Sequence, residues 1–268
     1  MSEKLKLLIL FVLLPLHKNA QIEEVTPPDY IKTITFKSRN TQQGELPILR
    51  YGETFYLEFD ALVYNEADFY YTIEHYNYDW NKSNLVKSEY LRGFDNFRIV
   101  DYENSFNTYE IYSHYRLVLP NQQTKALLVS GNYIISIYDA YQELVFSRKF
   151  MIVEDLANVG VSIKRSRDVG LIQEKQTVDV LVSPLSLNFN NPAETVKILI
   201  IQNNNLNTAI KNIKPQYILG NELNYRYTNE TTFWGGNEYL FFENKDVRAA
   251  NVNVQFMDLK EIYHNYLF

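Results

Sequence analysis

The 268-residue sequence predicts an all-β protein built as two consecutive antiparallel β-sandwich domains of immunoglobulin-like type. Three observations carry that expectation. Short runs rich in β-branched and aromatic residues recur along the chain. Clusters of Pro, Gly and Asn divide them. No period of roughly 20 to 50 residues marks a repeat array.

Taken in order, Tyr30 to Phe36 sets Ile31, Thr33 and Thr35 against Lys32, Ile34 and Phe36, and Phe55 to Asp60 follows the turn-like Arg50-Tyr51-Gly52-Glu53. Further strands are expected at Phe69 to His75, Tyr112 to Leu119, Tyr133 to Tyr138 and Val145 to Val153, with Pro120-Asn121 and Ser130-Gly131-Asn132 as breaks. Leu91 and Phe94, three apart, suit a helical turn near Ser88 to Gly93. Composition shifts at Glu154 to Gly160, so a first domain is expected over residues 21–155 and a second over 156–268. The second set of strands is expected at Val161 to Lys164, Gln176 to Val182, Thr195 to Gln202, Gln216 to Leu219 and Leu223 to Tyr227. Pro184 and Asn190-Asn191-Pro192 separate them, Asn203-Asn204-Asn205 forms a hairpin loop, and an aromatic block runs from Phe233 to Phe242.

The N-terminus sets the compartment. Lys4 and Lys6 precede the apolar run Leu7 to Leu16, and His17-Lys18-Asn19-Ala20 then leads to Gln21, the layout of a secretory signal peptide over residues 1–20. The apolar run is too short to span a bilayer. Cleavage is expected after Ala20, although Lys18 stands where a second small residue is preferred. Its removal takes away three lysines and one glutamate, leaving 23 basic and 31 acidic residues and a formal charge of −8. Nucleic acid and anionic lipid bind through Lys and Arg on phosphate, so an acidic chain is a poor match for either. The absence of cysteine excludes disulfides and thiolate metal sites.

Catalytic signatures are missing. There is no phosphate loop, no nucleophile elbow and no H-E-x-x-H helix. His75 and Asp79 are close enough in sequence to share a metal if the chain turns between them, but a histidine inside an aromatic strand reads better as packing, and no metal or cofactor is expected. Asp101 and Glu103, two apart on a strand face, would need Asp95 or Glu89 to make the carboxylate pair of a glycosidase lined by Tyr78, Trp80 and Tyr102. Glycan binding by the same aromatics without catalysis is the stronger alternative.

The most distinctive segment runs from Tyr70 to Asn121, where 13 of 52 residues are aromatic against 15% overall. They are mixed with Asp, Glu, Asn, His and Arg in no simple alternation, as on a recognition surface. Tyr78, Asp79, Trp80, Tyr90, Phe94, Asp101, Tyr102, Asn107 and His114 are the candidate partner-binding residues. Each also has a structural reading: Trp80 and Phe94 as core anchors, Asp79, Asp101 and Asn107 as turn caps.

This segment also carries a family likeness. Tyr30-Ile31-Lys32-Thr33-Ile34, Glu74-His75-x-Asn77-x-Asp79-Trp80-x-x-Ser83, Glu89-Tyr90-Leu91-x-Gly93-Phe94, Asp101-Tyr102-x-x-Ser105-Phe106-Asn107-Thr108 and Tyr112-x-His114-Tyr115-x-Leu117 resemble the plug protein family of the type IX secretion system of Bacteroidota. Ser130-Gly131-Asn132-Tyr133 and Arg148-x-Phe150-Met151 continue the match, and Gly235-Gly236-Asn237-Glu238 resembles the family's second domain. The resemblance implies a noncatalytic periplasmic protein that seals the periplasmic mouth of the outer-membrane translocon barrel. It implies no active site and no membrane span of the chain's own. Two departures stand out. Family members continue for roughly another domain beyond Phe268, and Tyr76 replaces a frequent cysteine.

Overall fold

The structure, a computed structural model, describes residues 22–38, 46–64, 66–186, 188–236, 241–247, 249 and 251–268. The expected signal peptide lies outside the described residues, as do residues 237–240 of the aromatic block. Mostly strand, the chain forms several antiparallel sheets and is an all-β protein. It divides into two compact units: one extends to Asp155 and takes in Asn203–Asn207, and the other comprises Leu156–Gln202 and Thr208–Phe268.

The first unit is a sandwich of two sheets. One has the order β1 (Ile31–Ser38), β3 (Phe55–Ala61), β8 (Ser113–Leu119), β7 (Tyr102–Asn104). The other runs β2 (Ile48–Arg50), β11 (Leu144–Val153), β10 (Gly131–Tyr138), β4 (Tyr70–Tyr76), β6 (Phe97–Arg98), with β2 and β11 parallel and its other pairings antiparallel. Strand geometry sends alternate side chains to opposite faces. Phe55, Leu57, Phe59 and Ala61 of β3 therefore point inward with Tyr115, Leu117 and Leu119 of β8. The core they build is aromatic: Phe59 packs at 5.1 to 5.3 Å from the rings of Phe69, Tyr115 and Phe146, in the offset or edge-on geometries that ring quadrupoles favour.

One strand changes face. Between Lys32↔Asp60 and Thr35↔Glu58, β1 contains one residue more than β3, and Thr33 takes φ +54°. This β-bulge moves the inward positions from Ile31 to Phe36 and Ser38, all buried, where simple alternation would have sent Phe36 outward. The helical turn covers Lys87–Tyr90 and stops short of Gly93. Leu91–Gly93 (β5) instead pairs with Thr124–Leu127 (β9).

The second unit centres on β12 (Ala157–Arg165), β13 (Lys175–Pro184), β17 (Glu222–Tyr225) and β16 (Tyr217–Leu219) in that order, with β18 (Thr232–Trp234) also on β13. Its core is Val178, Val180, Val182, Ile198, Leu223, Tyr225 and Phe233. Pro184 ends β13 where a break was expected, and Pro192–Thr195 is a helical turn, so the strand expected from Thr195 shortens to β14 (Leu199–Gln202). The asparagine run turns as expected: Asn203 and Asn204 at φ +51° and +59° join β14 to β15 (Asn205–Lys211), the left-handed pair that a type I′ hairpin requires. Buried Asp179 receives Lys164 Nζ at 2.7 Å and Arg167 Nη2, which reaches both carboxylate oxygens, at 2.7 and 2.8 Å. Burial alone would raise its carboxyl, but these donors outweigh that and hold it below its usual range. A separate hairpin, β19 (Val254–Leu259) with β20 (Tyr263–Leu267), closes the chain.

Candidate interaction surface

The β7–β8 hairpin projects the most exposed aromatics of the first unit. Its base is ordered by hydrogen bonds: Ser105 N–H donates to the Tyr112 carbonyl at 2.8 Å, Tyr112 N–H to Ser105 Oγ at 3.0 Å, and Ser113 Oγ to Asn104 Oδ1 at 2.7 Å. Asn107 holds the left-handed position at φ +57°, and Thr108 Oγ1 donates to the Glu110 carbonyl at 2.6 Å. From across the end of the sandwich, the Glu66 carboxylate accepts from Tyr102 Oη at 2.5 Å and Asn104 Nδ2 at 2.8 Å. These two bonds draw the Glu66 carboxyl below its ordinary range, and the Glu66 bond raises the Tyr102 phenol.

On this ordered base Phe106 is 93% exposed, Tyr109 fully exposed and Tyr64 90% exposed, with Ile111 half exposed. A shallow groove of about 460 Å³ between Val63, Tyr64, Glu66, Asn104 and Ile111 runs beside them. None of these rings belongs to the hydrophobic core of the unit. Exposed aromatics clustered on a polar, hydrogen-bonded scaffold are the composition of a protein-binding surface.

Of the nine candidate residues, four come together here. Tyr102 and Asn107 belong to the hairpin, Asp101 precedes it with its carbonyl accepting Arg116 N–H at 2.9 Å, and His114 lies on β8 with Nδ1 2.7 Å from Asp60 Oδ1. Tyr78, Asp79 and Trp80 sit in the turn after β4, which runs away from the connection carrying Tyr64. Asp79 caps that turn, accepting from Asn81 N–H at 3.2 Å and Nδ2 at 2.6 Å. Trp80 is 5% exposed, under Lys149 Nζ at 4.6 Å from its ring, and Tyr90 is 4% exposed in the core. Both rings are packing groups in this fold. Phe94, 72% exposed, lies in a loop clamped by Thr124 Oγ1 on its carbonyl at 2.7 Å. Sequence reasoning missed Tyr64, Phe106, Tyr109 and Ile111. Phe106 stands inside one of the family-like motifs, and only its place at a hairpin tip separates it from the buried aromatics around it.

Asp95 and Glu89, each considered as the partner of Asp101 and Glu103 in a hydrolytic pair, are otherwise engaged. Asp95 accepts from Ile73 N–H at 2.7 Å and Lys87 Nζ at 2.6 Å, and Glu89 accepts from Val86 N–H at 2.7 Å. His75 likewise packs: its ring lies 4.9 Å from Tyr133, Nε2 is 3.3 Å from the Ser130 carbonyl, and buried Nδ1 has no hydrogen-bond partner. Burial lowers the His75 pKa, against the Ser130 carbonyl. The unfolded chain therefore takes up a proton first as pH falls, so this contribution to stability is complete above pH about 6.5 and declines below it. Urea midpoints are expected to drop between pH 7 and 5.5, and His75→Phe to flatten that slope. The carboxylates with lowered pKa values, Glu58, Glu66, Glu74 and Asp179, act in a lower window.

Residues 31–154, the body of the first unit, match the family described as type 9 secretion system plug protein 1st domain. These residues belong to that family. Over 92% of its length the chain is also similar to the crystal structure of a hypothetical protein from Parabacteroides merdae ATCC 43184, with 29% identity and a TM-score of 0.81. It spans 63% of the length of that structure. No curated protein matches the sequence.

Proposed function

We propose that the protein is a noncatalytic, periplasmic component of type IX secretion that binds the periplasmic end of the outer-membrane translocon barrel and seals it between transport events. The observation that carries this reading is the plug-domain match over residues 31–154. A pore that passes folded cargo needs a seal that binds and releases. The β7–β8 end has the chemistry of such a seal. Phe106, Tyr109 and Tyr64 supply area at low entropic cost, and Asp101, Tyr102, Asn107 and His114 keep the surface wettable when it is free. No helix among the described residues is long and apolar enough to cross a membrane, so attachment through a partner fits the reading.

The test is affinity capture. Tagged protein lacking residues 1–20 is incubated with detergent-solubilised outer membranes of its source, and bound proteins are identified by mass spectrometry. A very large barrel protein is the expected catch, and the pair Phe106→Ser and Tyr109→Ser should reduce its recovery at least roughly tenfold without moving the unfolding midpoint. A folded bait that recovers no barrel and is retained on polysaccharide overturns the plug reading in favour of noncatalytic glycan binding.

A further inference from the structure

A cavity of about 240 Å³ opens in the first unit beside the β5–β9 pair, away from the hairpin surface. Its floor is buried and apolar. Phe55, Ile73, Leu119 and Ile152 line it and are each 4% exposed or less, with Ala126 and Leu127 of β9 completing the wall. At roughly the 30 Å³ that one water occupies in the liquid, the space holds about eight methylene-sized groups.

Of the four polar side chains that line the cavity, buried Thr124 donates to the Phe94 carbonyl at 2.7 Å, and the commitments of the other three differ. Tyr51 Oη donates to the Leu128 carbonyl at 3.3 Å. The Glu53 carboxylate accepts from Arg50 N–H at 2.9 Å, closing the turn it belongs to. Arg92 is exposed and sits opposite Ala126 in the β5–β9 register, and its side chain makes no hydrogen bond or ion pair among the described residues. Of the two charged groups at the mouth, Glu53 is tied into its turn, and Arg92 is the one with its donors free, a guanidinium being the group best shaped to take a carboxylate through two parallel hydrogen bonds. An apolar slot with one uncommitted cation at its rim matches a ligand with an alkyl body and an anionic head.

We propose that this cavity binds the alkyl chain of a medium-length fatty acid, with Arg92 holding its carboxylate. The site is independent of the plug reading.

Isothermal titration of the full chain with sodium octanoate tests it, with 1-octanol and sodium butyrate in parallel. One saturable octanoate site is expected. Affinity should fall at least roughly tenfold for 1-octanol, for butyrate and for Arg92→Gln, since each removes the charged contact or most of the buried chain. Ala126→Leu, which fills the space facing Arg92, should abolish binding. Absence of saturable octanoate binding overturns the proposal, as does octanoate binding that survives Ala126→Leu. Equal affinity for octanoate and octanol, unmoved by Arg92→Gln, overturns the assignment of Arg92. Should Ala126→Leu fail to fold, Arg92→Gln decides alone, because that exposed side chain has no contact to lose.

Discussion

Replacing Phe150 by alanine is expected to lower the unfolding free energy by about 4 kcal/mol. Phe150 is fully buried on β11, and three rings surround it: Phe36 at 5.3 Å, Phe55 at 5.3 Å and Tyr133 at 5.2 Å. Those rings come from β1, β3 and β10, so the side chain joins both sheets of the sandwich. Their neighbours are themselves fixed in two-stranded registers, which leaves little room for the hole to collapse and places the cost in the upper part of the range for aromatic truncation. Urea unfolding followed by tyrosine and tryptophan fluorescence should show a lower midpoint at unchanged slope. A loss under about 1 kcal/mol would mean that the two sheets hold together without this ring.

Gly93→Ala should cost about 3 kcal/mol, from backbone strain and overpacking together. Gly93 sits at φ +97°, a conformation side chains rarely adopt, and an added Cβ would run into the backbone carbonyl of Gln123. That carbonyl cannot swing aside without loss, since it accepts the Phe94 N–H at 3.0 Å and belongs to the turn that leads into β9. Gly52→Ala is the control. Its φ is +79° with open space around the added atom, so only the conformational cost applies, about 1 kcal/mol. Comparable losses at the two sites would remove the steric argument.

How far these features are legible in the sequence depends on length and on partners. Phe55 to Asp60 and Tyr112 to Leu119 reveal themselves because enough residues alternate for the buried face to show. Phe97–Arg98, Tyr102–Asn104 and Thr124–Leu127 are too short to carry a period; they are strands because β4, β8 and β5 offer them free edges. The aromatic density between Tyr70 and Asn121 marks the region without sorting its members. Tyr71 and Tyr115 are core, Tyr90 and Trp80 are packed, and Phe106 and Tyr109 stand in solvent. All six are aromatic; what differs is whether a facing sheet exists to cover the ring. The cavity beside Arg92 was illegible for the same reason, since its apolar walls come from separate strands far apart in sequence.

The extra residue in β1 bears on how this domain is compared with others. A relative whose first strand runs straight would match it only with a one-residue gap between Lys32 and Thr35. Aligned without that gap, each position after the kink is read on the wrong side of the sheet: Phe36 would be scored as a tolerant surface site and Lys37 as an interior one. Substitution tolerance inferred from such an alignment would be inverted along half the strand.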